Sequence, residues 1–290
     1  MNQSNSNYIL TASCPSRIGT VDVVTRFLCE SGCYISELNS FDDELNQRFF
    51  IRVEFAQEGS GKFDEQAFKQ GFGERSKAFD MEWELTDKSY RPSVVIMVSK
   101  YDHCLNDLLY RYRTHNLPVD IKAVISNHED LRSLAQWHDI PYHCFPISHE
   151  TKSQQEAQVQ KILDDVGCEL LILARYMQVL SDEMCEQWSR KAINIHHSLL
   201  PGFKGAKPYH QAYDKGVKLV GATAHYVSSD LDEGPIITQG MANVNHTYYP
   251  KDLIKKGKDI EALTLAKAIQ YHIEKRVFLF NDKTIVFERS

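Results

Sequence analysis

The run Ser93-Val-Val-Ile-Met-Val-Ser99 decides the architecture of this chain. Val94 to Val98 are apolar without any polar alternation, so the strand they form has both faces covered, as parallel strands in layered α/β sheets do. The run is also far shorter than the roughly 20 apolar residues that cross a bilayer. Working downstream, helical spacing over Cys104 to Tyr112 leads to a second apolar run, Ile121 to Ile125. The alternation continues through a helix at Glu129 to His138, a strand at Tyr142 to Phe145, a helix at Ser153 to Asp165 and a strand at Leu170 to Leu173. Strands are then expected at Ala192 to His196, Gly221 to Val227 and Ile236 to Val244, followed by a helix from Asp259 to Arg276 and a terminal hairpin over Val277 to Phe287. This order predicts an α/β domain of Rossmann-like, doubly wound type with a mostly parallel sheet.

Upstream of Ser93 the pattern differs. Tyr8 to Ala12 alternates as a strand, and Ile18, Val21, Val24, Phe27 and Leu28 then recur at helical spacing. Ser16 is the expected N-cap of that helix and Gly32 its C-terminal stop. Strands at Cys33 to Phe41 and Arg48 to Phe55, a helix at Lys62 to Lys77 and a strand at Asp80 to Leu85 complete a βαββαβ order, the ferredoxin-like plan. The polar, proline-containing joint after Thr86 separates the two patterns. The expected division is a domain over 1–86, a linker over 87–92 and a longer domain over 93–290.

The 290 residues carry 33 Lys+Arg against 39 Asp+Glu, a formal charge of −6. No basic excess draws the chain to nucleic acid or to an acidic membrane surface, so neither is an expected partner. The N-terminal MNQSNSNYIL has no positive charge before its short apolar run, unlike a secretory leader. Seven scattered cysteines with no Cys-x-x-Cys pair point to reduced thiols, hence a cytoplasmic location.

In doubly wound sheets ligands lie beyond the carboxyl ends of the strands, so the loops that follow strands come first. Lys191-Ala-Ile-Asn-Ile-His-His-Ser-Leu-Leu-Pro-Gly-Phe203 is the most informative of them. Period-two alternation turns Ile193 and Ile195 to one face of the strand and Asn194 and His196 together to the other. An amide donor beside an imidazole suits attack on a carbonyl carbon, with Asn194 meeting the oxyanion and His196 exchanging a proton. A buried pair that only satisfies backbone groups has the same pattern. The loop Ser228-Ser-Asp-Leu-Asp-Glu-Gly-Pro235 adds a carboxylate, Asp232, able to orient His196. His225, in the preceding strand, reads as a packed core histidine. His103-Cys104 and His143-Cys144 lack a matching second pair, and no metal site is expected from them. There is no Gly-x-Ser-x-Gly elbow.

Asn194-Ile-His196, the following Ser198-Leu-Leu-Pro201 and the Asp232-Glu-Gly-Pro235 loop resemble the active site of the formyltransferase fold that uses 10-formyltetrahydrofolate. Cys14-Pro-Ser-Arg-Ile-Gly19 after the first strand resembles an ACT domain. ACT unit, Asn194-Ile-His-His-Ser198 and Gly221-Ala-Thr-Ala-His-Tyr-Val227 together are similar, over nearly the full chain, to the formyltetrahydrofolate deformylase family.

The resemblance implies that Asn194, His196 and Asp232 are the catalytic trio. It sets the pterin against Gln178, Val179 and Leu180 and against the loop residues Ser228, Ser229, Asp230 and Leu231. His197 stands where methyltransferase-like relatives carry proline; it either lines the place an amine would occupy or only packs. The expected reaction is hydrolysis of 10-formyltetrahydrofolate to formate and tetrahydrofolate, with no cofactor required. The alternatives are formyl transfer to a small amine and a non-catalytic folate- and amino-acid-binding regulator. The loop Ser99-Lys-Tyr-Asp-His-Cys-Leu105 favours hydrolysis: it has no glycine and carries Asp102, so it makes a poor phosphate nest. Lys204 and Lys207 are available to an anionic glutamyl tail, though solvated loop charges read the same way. The ACT resemblance implies a glycine or methionine effector near Ser16, Arg17, Ile18 and Gly19, and a homo-oligomer, dimer or tetramer. A dimerisation module that senses nothing is the other reading.

Overall fold

A computed structural model of the chain describes residues 7–58, 63–148, 150–202 and 208–289. These divide into two compact units.

The first unit begins with β1 (Asn7–Pro15), α1 (Thr20–Glu30), β2 (Cys33–Asp43), β3 (Arg48–Gln57), α2 (Glu65–Lys77) and β4 (Glu82–Asp87), the expected βαββαβ order. β1 lies between β3 and β4 and pairs antiparallel with both, giving the sheet order β2-β3-β1-β4. The apolar face of α1 (Val24, Phe27, Leu28) and of α2 (Phe68, Phe72) closes one side over Leu10, Ala12, Val53 and Phe55. Helix α1 starts behind Gly19, whose φ of 90° is left-handed, and not behind Ser16, whose hydroxyl donates to the Asp42 carboxylate instead. Gly32, at φ 68°, takes the conformation that ends α1.

The second unit carries β5 (Ser93–Val98), α3 (His103–Arg113), β6 (Asp120–Ser126), α4 (Arg132–Gln136), β7 (Tyr142–Cys144), α5 (Lys152–Asp165), β8 (Leu170–Leu173), α6 (Asp182–Gln187), β9 (Ala192–His196), α7 (Pro208–Asp214), β10 (Leu219–Tyr226), β11 (Ile236–Asn243) and α8 (Pro250–Ile273). Its sheet has the order β11-β10-β9-β8-β5-β6-β7. The pairs β5·β6, β5·β8, β6·β7 and β8·β9 are parallel, whereas β10 runs antiparallel to β9 and β11. Val94, Val95 and Ile96 are wholly buried, as a central strand requires.

Three helices differ from the periodicity. α4 is shorter than expected because Glu129 to Leu131 form a turn, clamped by Arg132 Nε on the Glu129 carboxylate at 2.5 Å. α6 was not expected; it is brief, and Ser181 caps it by accepting from the Met184 N–H at 3.2 Å. α8 starts at Pro250, a favoured first helical residue, and not at Asp259.

The chain ends in β12 (Val277–Phe280) and β13 (Lys283–Val286). Glu274–Phe278 and Val286–Ser290 group with the first unit, although periodicity set them with the longer domain. The reason is ionic. Arg276, 3% exposed, donates to Glu37 through both terminal nitrogens at 2.9 Å, and Arg52, 1% exposed, reaches the Glu274 carbonyl at 3.0 Å and Glu37 at 2.9 Å. No described helix is long and apolar enough to cross a membrane.

Candidate active site

β9 buries Ile193 and Ile195 and directs Asn194 and His196 to its other face, as alternation requires. Its antiparallel neighbour β10 sets His225 opposite Asn194 and Thr223 opposite His196. After β10 the chain turns back sharply. A Cβ on Gly234 would sit 1.8 Å from the Tyr226 carbonyl oxygen, so only glycine passes there. Asp232, held at φ 58°, then faces β9.

The Asp232 carboxylate lies 3.1 Å from His196 Nδ1. Burial pushes the Asp232 carboxyl up, but the hydrogen bond and charge of His196 outweigh it and hold the group below its ordinary value. A carboxylate accepts, so Nδ1 is the donor, and in the neutral imidazole Nε2 is the nitrogen that keeps a lone pair. That Nε2 is buried and has no hydrogen-bond partner among the described residues.

His225 orients Asn194. Burial keeps its imidazole neutral. Its Nδ1 lies 2.9 Å from the Tyr226 carbonyl and must donate, which leaves Nε2 to accept from Asn194 Nδ2 at 3.1 Å. One amide hydrogen of Asn194 is thus committed, which leaves the second to meet developing negative charge. The reading of His225 as a buried residue holds, but it is also the partner that sets the Asn194 amide.

Asn194, His196 and Asp232 line one cavity of about 290 Å³ together with Gln178, Val179, Leu180, His197, Ser228, Ser229 and Leu231. Asp230 differs: it is exposed and not among the lining residues, and its carbonyl accepts from the Ser228 hydroxyl at 2.9 Å. Lys204 and Lys207 lie outside the described residues. His197 is a wall residue whose ring centroid is 5.1 Å from that of His196 and 6.3 Å from that of Tyr209. Burial, then the Arg175 charge, depress its pKa to about 4, so it is neutral at pH 7.

Ser16, Arg17, Ile18 and Gly19 belong to the first unit. Ser16 is bonded to Asp42, and Arg17 to the Ala78 carbonyl at 2.9 Å and the Asp80 carboxylate at 3.0 Å. Ile18 is fully exposed.

Sequence reasoning missed a buried polar cluster beside the cavity. Glu261 of α8, 1% exposed, accepts from the Tyr209 hydroxyl and from His103 Nε2, each at 2.7 Å, and lies 3.2 Å from Arg175 Nε. Burial raises the Glu261 carboxyl, but these partners outweigh it and hold it below its ordinary value. A charged residue directly after the apolar run Leu170 to Ala174 was the available signal. His103, Cys104 and Glu261 bring three potential metal ligands within 4.8 Å of one another. The donor set fits a cation poorly: Arg175 already neutralises Glu261, and burial drives the Cys104 thiol well up, which keeps it protonated.

The formyl transferase family model matches residues 93–269. The chain is 49% identical to the formyltetrahydrofolate deformylase of Corynebacterium sp. (strain P-1), over 96% of this chain and 97% of that protein. The chain belongs to the formyltetrahydrofolate deformylase family. A crystal structure of such a deformylase, from Pseudomonas putida KT2440, matches it with a TM-score of 0.89 at 61% identity, covering 97% of this chain and 100% of that one. Glycinamide ribonucleotide transformylase 1 from Symbiobacterium toebii matches with a TM-score of 0.64 at 26% identity, covering 95% of its own chain but 68% of this one. The deformylases therefore account for both units, and the transformylase for little more than the second.

Proposed function

We propose that the chain hydrolyses 10-formyltetrahydrofolate to formate and tetrahydrofolate in the second unit's cavity. The observation that carries the reading is His196 Nε2, buried and without a partner among the described residues, with Asp232 on Nδ1 to hold that tautomer. Water bound at Nε2 gives up a proton to it while attacking the formyl carbon, and Asp232 stabilises the imidazolium that results. The other Asn194 amide hydrogen meets the oxyanion of the tetrahedral intermediate. Collapse breaks the bond from the formyl carbon to N10, and the proton on His196 Nε2 passes to N10. Gln178, Val179, Leu180, Ser228, Ser229 and Leu231 take the pterin.

No cofactor takes part in these steps, so formate release is expected to survive chelator treatment. We place the enzyme in the cytoplasm as a homo-oligomer that supplies formate for purine synthesis and balances one-carbon pools. Glycine or methionine is the proposed effector of the first unit, with heat on titration as its test. Ser16 and Arg17 would have to release Asp42 and Asp80 to meet it.

Incubation with 10-formyltetrahydrofolate alone tests the reaction. Formate without any acceptor supports hydrolysis, turnover only with an added amine would mean transfer, and binding without turnover would mean a regulator. Asp232→Ala should lower kcat by about 10²–10⁴-fold while folate still binds; near-normal turnover would remove Asp232 from the mechanism.

A further inference from the structure

The chain runs from β5 to β6 and β7 on one side and returns to β8 and β9 on the other. The crevice beyond the carboxyl ends of β5 and β8 is therefore the topological switch point, where open α/β sheets take their ligands. His196 lies one strand further along, on β9. Here the crevice is occupied from within. Arg175, which follows β8, holds φ at 64°, a left-handed conformation that costs a non-glycine residue about 1–2 kcal/mol. Its side chain is 9% exposed and pairs with Glu261 at 3.2 Å. Tyr101, from the loop after β5, covers the guanidinium at 5.1 Å.

A buried ion pair is on average no more stabilising than well-packed apolar side chains of the same volume. Strained backbone adds a further cost, and such strain clusters at functional sites. Stability alone therefore does not account for Arg175. Its position does, because Arg175 also lines the catalytic cavity, next to His197.

We infer that the Arg175–Glu261 pair, covered by Tyr101, is a specificity-determining plug that fills the crevice an amine acceptor would enter, so that water alone reaches the formyl carbon. The inference rests on the hydrolytic reading above. Were an amine admitted, its nitrogen would bond to the formyl carbon and the bond from that carbon to N10 would break. The amine proton would pass through His196 Nε2 to N10, so the balance needs no further reactant.

The test uses the full chain, 10-formyltetrahydrofolate and glycinamide as the probe amine, with N-formylglycinamide and formate measured by mass spectrometry. Arg175→Gly/Glu261→Gln removes the plug without leaving a buried carboxylate unpaired and relieves the strained φ. Its ratio of N-formylglycinamide to formate should exceed that of the unaltered chain at least tenfold. Tyr101→Ala, on a ring 44% exposed, opens the crevice from outside and should raise the ratio less, and it decides the matter if the double variant does not fold. Arg175→Lys should restore the low ratio. General destabilisation lowers both products and leaves the ratio unchanged. An unchanged ratio in the opened variants, with tetrahydrofolate still released, overturns the inference, as does ready transfer by the unaltered chain. Absence of formate from the unaltered chain would instead overturn the hydrolytic reading.

Discussion

His197 stands beside the His196 imidazole and has a titration of its own. Burial, then the Arg175 charge, hold its pKa near 4 in the fold, against about 6.5 in an unfolded chain. Between those values the unfolded chain binds a proton that the folded chain refuses. Stability therefore rises with pH across that window and is lost as pH falls through it. By pH 5 the loss from this one residue is about 2 kcal/mol. Thermal unfolding of the unaltered chain and of His197→Asn at pH 7.5 and pH 5 should show the variant losing less on acidification; equal losses would dismiss the assignment. His225 is depressed in the same direction, also by burial, and contributes equally to both proteins. At Asn194 the proposed role is chemical. Removing one oxyanion donor costs about 10²–10³-fold in kcat, so Asn194→Ala should lose that much in kcat with little change in KM. A change in KM alone would reassign Asn194 to binding.

Among the elements, α8 shows two small effects competing. Alanine is about 1 kcal/mol better than glycine inside a helix, so propensity alone favours Gly257→Ala. Against it, a Cβ on Gly257 would lie 2.0 Å from Tyr209 Oη and 2.1 Å from Cζ. Overpacking typically costs 1–3 kcal/mol, and here it would push Tyr209 off Glu261. Gly257→Ala should therefore destabilise the chain by up to about 2 kcal/mol net, and a raised melting temperature would contradict the packing described for Tyr209. The same element marks what was legible in the sequence. Continuous apolar runs such as Val94 to Val98 were readable because burial on both faces admits little besides apolar residues. The Asn194, His196 and Asp232 grouping was readable because strand alternation and a glycine turn constrain it locally. α8 was begun too late, since Pro250 and the polar run Lys255-Lys-Gly-Lys258 resemble a loop. Glu261 was invisible because its partners, His103, Arg175 and Tyr209, come from distant segments that only the tertiary fold brings together.

At the scale of the molecule, the C-terminal residues do for the first unit what its own sheet does not. β2 is an edge strand in that unit's sheet, and its Glu37 carboxylate receives both Arg52 and Arg276, of which Arg276 comes from the far end of the chain. Arg276 also meets the Glu274 carboxylate at 2.8 Å and the Phe287 carbonyl at 3.2 Å. The Phe278 ring meets Phe50 edge-on at 5.6 Å, adding apolar contact to the ionic one. Glu37 is held below its ordinary value, chiefly by the Arg276 hydrogen bonds against an opposing burial effect. Breaking a buried pair by removing one partner costs about 3–5 kcal/mol, and the Glu37 side chain is 31% exposed, which places this pair at the lower end. Arg276→Ala should accordingly destabilise the first unit by about 3 kcal/mol. Hydrogen exchange resolved by peptide should show β2, β3 and the segment 274–278 losing protection while β5, β8 and β9 keep theirs. Equal loss in both units would mean that Arg276 supports the whole chain and not the first unit.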